Sequence, residues 1–140
     1  MQSSSLSVRL YKRLKEKKIL FVYFPLVVYW LLIFVLTTIP TDIVPQVFKA
    51  QDKVEHLLAY FVLAFFLSLT ISLQTKNVNL SKHLIIVTLC LIMLYGAIDE
   101  LHQIFIPGRV ADITDWLADS LGGLLGILAV SFFIKKGSAG

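Results

Sequence analysis

Between Tyr95 and Gly126 the chain reads YGAIDELHQIFIPGRVADITDWLADSLGGLLG. Asp99, Glu100, His102, Gln103, Arg109, Asp112, Asp115 and Asp119 stand there among residues apolar enough to lie in a bilayer. A carboxylate beside an imidazole can orient it as a general base. An arginine can grip a carboxylate or a phosphate through two parallel hydrogen bonds. Asp99, Glu100, His102 and Arg109 are therefore the candidate catalytic groups. Asp99 and His102 also stand at i, i+3, the acid–His spacing that holds metals in helical bundles. His56 and Asp119 are available to complete such a set. A charge at the centre of a spanning helix costs roughly 2.5–3.5 kcal/mol on the mildest scale. So many ionisable groups in an apolar setting must face one another and not lipid.

The elements that position them follow from hydropathy. Of 140 residues 57% are hydrophobic and the mean hydropathy is +0.81, the composition of a membrane protein of one domain. Residues 1–18 carry Arg9, Lys12, Arg13, Lys15, Lys17 and Lys18 around Leu6, Leu10 and Leu14. This pattern predicts a short basic amphipathic helix on the membrane surface. No Gly-rich stretch or interleaved run of aromatics, the signal of nucleic-acid binding, accompanies it; Tyr11 stands alone. Apolar spans follow over Ile19–Ile39, about Lys53–Leu73, about His83–Phe105 and about Ile113–Ile134, each long enough to cross a bilayer. The fold expected is all-α: a bundle of four transmembrane helices (residues 19–136) with an N-terminal interfacial helix. The closing residues 137–140 read as a tail. Pro25 should be tolerated near the start of the first span. Pro40 and Pro45 forbid a regular helix in the loop that follows. Cys90, inside an apolar run, reads as core.

Ordinary roles account for some of these acids. Asp52 and Glu55 fit a capping box at the start of the second span, and Asp112 and Asp115 fit N-cap and N3 of the fourth. Capping leaves His56 and Tyr60 unexplained, on the same face as Asp52. It leaves Asp99 and Glu100 unexplained too, near a helix C-terminus where the dipole disfavours them. At about 100° per residue Tyr95, Gly96, Asp99, Glu100, His102 and Gln103 share one arc of about 160°. Asp112, Asp115 and Asp119 share a stripe with Gly122, Gly123 and Gly126, and Gly122-x-x-x-Gly126 permits close helix approach. Arg109 is the natural counter-charge for Asp99, Glu100 or Asp119. The ligand-binding set expected around the catalytic groups is Asp52, His56, Tyr60, Gln103, Asp115 and Asp119. His56, Asp99, Glu100, His102, Arg109, Asp115 and Asp119 should converge in one polar pocket on the outer side of the bundle.

Orientation comes from charge. Ten Lys and Arg flank the spans on the side of the termini: the six N-terminal ones, Lys76, Lys82, Lys135 and Lys136. Three, Lys49, Lys53 and Arg109, lie on the other side. The positive-inside rule then puts both termini in the cytoplasm. Eight of the nine acids fall on the outer side, Glu16 being the exception. On this topology the sequon Asn79-Leu80-Ser81 faces inward and is discounted.

Asp52-Lys53-x-x-His56-x-x-x-Tyr60, Asp99-Glu100-x-His102-Gln103, Pro107-Gly108-Arg109, Asp115 and the Gly122–Gly126 segment together resemble the VanZ-like family, over about residues 19–134. Asp119 departs from it, since the family often has Asn there. The resemblance implies a small membrane protein of the cell envelope. The name-giving member is associated with antibiotic resistance, to the glycopeptide teicoplanin. It supplies no reaction. One reading is a module that binds a lipid-linked envelope precursor or a glycopeptide. Another is a membrane-embedded enzyme on a lipid-linked substrate, by acid/base or metal-assisted chemistry. No nucleophile elbow, HExxH or P-loop fixes a reaction class, and no motif calls for a cofactor; a divalent metal is the one candidate. A proton-coupled transporter finds little support in four spans without internal repeats.

Overall fold

The computed structural model describes residues 6–40, 47–74 and 83–138, all-helical between short connections. Helix α1 spans Leu6–Glu16. A π-helical turn, Ile19–Tyr23, runs into α2, Phe24–Thr37. Then come α3 (Gln51–Ser72), α4 (Leu84–Gln103) and α5 (Ile113–Ser138). Four segments, Ile19–Thr37 and the helices α3, α4 and α5, are long and apolar enough to cross a membrane. This is a multi-pass membrane protein. The 75–82 turn with its sequon and Pro45 lie outside the described residues.

Pro25 falls in the first turn of α2. It has no N–H to offer the preceding turn. The chain widens just before it, and the Phe24 N–H reaches back five residues to the Ile19 carbonyl.

Helices α3 and α5 make the most intimate pair. A Cβ on Gly122 would lie 2.1 Å from the Leu57 carbonyl oxygen, and one on Gly126 2.4 Å from that of Phe61. Backbone cannot yield as a side chain can, so these positions need hydrogen in place of Cβ. On the neighbouring face a Cβ on Gly123 would meet Ile92 of α4 at 2.5 Å. The glycine stripe thus seats α5 against two helices at once. Tyr60, Leu63, Ala64, Ile92 and Ile127 close the apolar core at mid-bundle, with Ile33 reaching in from α2.

At the far end Val22, Leu69, Leu73 and Val130 form a second cluster, on which Tyr11 and Leu14 of α1 pack. Gly137 lies against Tyr11, so α5 runs into residues read as a tail. The face of α1 that meets the bundle is Val8, Tyr11 and Leu14, while Leu6 and Leu10 remain exposed. The expected Leu6–Leu10–Leu14 stripe is thus divided, with Leu14 at its inner border. Both described chain ends lie at this end of the molecule.

Two local expectations fail. No capping box starts α3: Ala50 precedes it in the left-handed region (φ 64°), and no side chain caps it. Instead Gln51 Oε1 accepts from the Val47 N–H at 2.7 Å, and Gln51 Nε2 donates to Glu55 Oε1 at 2.8 Å. Asp52 is left to pair with Lys53. Cys90 is exposed, not core. It shares the outward stripe of α4 with Ile86 and Leu94, because lipid accepts an apolar face as readily as a core does.

Candidate functional site

The polar groups gather at the end of the bundle opposite α1. There the first turns of α3 and α5 meet the last turns of α4. Antiparallel neighbours bring the N-terminal acids of α5 level with the C-terminal acids of α4. All three acids that no cap explains point inward: Asp99 is 3% exposed, Glu100 7% and Asp119 0%.

At the rim Lys53 Nζ donates to Asp115 Oδ1 at 2.9 Å, Asp112 Oδ2 at 3.0 Å and Asp52 Oδ2 at 3.1 Å. One cation thereby ties the start of α3 to the start of α5. Asp112 also accepts the Thr114 N–H at 2.8 Å and so caps α5 as its spacing predicts. The Thr114 contacts, with Lys53 beyond them, hold its carboxyl down to about 2. Asp115 does not reach back to the Asp112 N–H. That group donates to Glu100 Oε2 at 2.7 Å instead.

One turn deeper, His56 Nδ1 lies 2.9 Å from Asp119 Oδ1 and 4.0 Å from Glu100 Oε1. Beneath it the Tyr60 ring runs parallel to the His56 ring at 6.4 Å, and the Tyr60 hydroxyl donates to Asp99 Oδ2 at 3.3 Å. Gly96 makes room for Asp119, since a Cβ there would stand 2.9 Å from Asp119 Oδ2. Trp116 Nε1 donates to the Met93 carbonyl at 2.9 Å and fixes the register of α5 on α4. Gln103 is buried with its Nε2 unpartnered among the described residues.

A cleft of about 590 Å³ opens beside these groups, between α2 and α3. Asp52, Glu55, His56, Asp99 and Arg109 line its polar part, and Ile33, Leu36, Leu58 and Val62 its apolar part. His56 and Asp99 thus belong both to the buried cluster and to the cleft.

Two expected placements change. Arg109 is not seen as counter-charge to a buried acid. Its Nε donates to the Ile39 carbonyl at 3.0 Å and its Nη2 to that of Leu36 at 3.4 Å, satisfying carbonyls at the end of α2. The cation among the acids is Lys53, one turn before His56. Lys53 stands in the motif of the resemblance, yet spacing alone gives it no role; the excess of acids over cations at this end was the available signal. His102 does not join the acid cluster. Its ring stacks on Phe34 of α2 at 5.2 Å, and its Nδ1 is buried with no partner among the described residues. On the wheel His102 and Glu100 sit at opposite edges of the polar arc, so they face different neighbours. Of the candidate set, His56, Tyr60, Asp99, Glu100 and Asp119 come together, and Asp52 and Asp115 join at the rim through Lys53.

No curated protein and no solved structure matches the chain. The VanZ/LLP1 family model matches residues 17–134, most of the chain and all four spans with their polar end. With the site on the helices that this match covers, the chain belongs to the VanZ/LLP1 family.

Proposed function

We propose that this protein binds a lipid-linked sugar of the cell envelope in the cleft between α2 and α3, with the sugar at the polar end. The observation that carries the reading is the two-part lining of the cleft. Apolar side chains suit an acyl or prenyl chain, and acids suit the hydroxyl or amine donors of a headgroup. Arg109 lines the same cleft and would supply a cation for a linking phosphate. The Lys/Arg bias, ten to three, supports cytoplasmic termini and a site in the outer leaflet. A glycopeptide of the teicoplanin type is the competing occupant.

A second reading, turnover of such a lipid, draws on a specific feature: the buried oxygens Glu100 Oε1 and Asp119 Oδ2 accept no hydrogen bond among the described residues. Both readings are tested by protein in nanodiscs with a photo-crosslinkable, radiolabelled lipid-linked disaccharide. Saturable labelling that excess unlabelled lipid removes and teicoplanin does not is the result expected. A water-soluble labelled product would favour turnover. Absence of saturable labelling would overturn both.

A further inference from the structure

The cluster at the heart of the site is too acidic to be closed by its own hydrogen bonds. Glu100 Oε1 and Asp119 Oδ2 accept nothing among the described residues, and both side chains are at least nine-tenths buried. An unpaired polar oxygen in such a place is costly. His56, also buried, turns Nδ1 toward the two acids, 4.0 Å from Glu100 Oε1 and 2.9 Å from the other Asp119 oxygen, Oδ1. One ligand atom from each of the three lies within 4.8 Å of the other two.

We propose that His56, Glu100 and Asp119 hold a divalent transition-metal ion of the Mn²⁺ or Zn²⁺ class. Bonds of 2.0–2.2 Å set neighbouring ligand atoms roughly 3–3.5 Å apart. The separations from His56 Nδ1, 2.9 Å and 4.0 Å, bracket that spacing. Charge balances as well: two carboxylates and a neutral imidazole neutralise a dication. The surroundings fix the ligands as second contacts do in metal sites. The Asp112 N–H holds Glu100 Oε2, which turns Oε1 inward. The Tyr60 ring lies parallel to His56, and Gly96 leaves space for the Asp119 carboxylate. The imidazole favours a transition metal over Mg²⁺ or Ca²⁺. The three ligands come from α3, α4 and α5, so the ion would clamp the three helices that line the site. Of the three ligands only His56 also borders the cleft. The set differs from the Asp99–His102 pair suggested by i, i+3 spacing, because those two side chains face Tyr60 and Phe34.

The test uses full-length protein in detergent, stripped with a chelator and titrated with MnCl₂ without any lipid ligand. Electron paramagnetic resonance should show one saturable equivalent, with spin-echo modulation from a directly bound ¹⁴N. Asp119→Asn and Glu100→Gln should each weaken binding by at least about tenfold, and His56→Gln should abolish the nitrogen modulation. Glu16→Gln, at the opposite end, should change nothing. A hundredfold excess of CaCl₂ should not displace the Mn²⁺. No saturable binding, binding without nitrogen modulation, displacement by Ca²⁺, or binding unchanged in Asp119→Asn would each overturn the proposal. Where a variant does not fold, the nitrogen modulation of the unaltered protein decides. Because no lipid is present, failure here leaves lipid binding in the cleft standing, and the converse holds.

Discussion

Lys53 carries more of the local electrostatics than its one charge suggests. It faces three carboxylates, and Asp115 among them is 8% exposed at its side chain. Replacing Lys53 by Gln leaves Asp115 buried beside two further acids with no cation. Lys53 is itself 33% exposed, so the penalty is discounted for solvent screening. A loss of about 1–3 kcal/mol in a denaturant titration is expected; an unchanged midpoint would mean the bridge is ornamental. Asp112 sets a pH window. Its folded-state pKa, about 2, lies below the ordinary value of about 3.9. Its contribution is thus complete above about pH 4 and fades as pH falls toward about 2. Melting curves of the unaltered protein and Asp112→Asn should converge on acidification across that window and run parallel above it. A difference that grows on acidification would contradict the assignment. Periodicity revealed that Asp99, Glu100, Asp115 and Asp119 turn inward, but could not name the cation beside them. Lys53 and Arg109 are both cations at the polar end, and the choice depends on how the 104–112 connection folds back over α2.

At the scale of the helix, the Gly122–Gly126 stripe was legible from spacing alone, because small residues every fourth position leave little else for that face to do. Which helix it meets was not, since α3 and α4 are equally apolar. The observed contacts make a sharp prediction. Gly122→Ala drives a Cβ into the Leu57 carbonyl and should cost about 1–3 kcal/mol. Leu121→Ala, one residue away on the exposed face, should cost far less. Equal melting temperatures for the two variants would refute the close pairing of α3 with α5. The misreadings at this scale share a cause. A capping box and a loop in the left-handed region satisfy the same helix start, and sequence does not choose between them at Asp52 and Ala50. Likewise Cys90 lies in an apolar run that suits lipid and core alike.

The whole molecule has two unlike ends. One is basic and closed by α1 packed on Val22, Leu69 and Val130; the other gathers buried acids beside an open cleft. Four spans, their order and the polar end followed from composition and spacing. The division of labour within that end did not, because it depends on side-chain partners across three helices. Cytoplasmic termini are expected from the charge bias. A fusion reporter at Lys136 that is active only outside the cytoplasm would reverse the orientation and move the site to the inner leaflet. The central claim is that the buried acids are retained for a ligand, at some expense of stability. Asp99→Asn tests it most directly, since Asn keeps the shape and still accepts from Tyr60. Melting temperature and saturable labelling by the lipid-linked disaccharide are measured on the same nanodisc sample. The expected result is a melting temperature unchanged or raised, with affinity reduced at least about tenfold, a loss near 1.4 kcal/mol. A lowered melting temperature with labelling intact would show instead that Asp99 serves the fold alone.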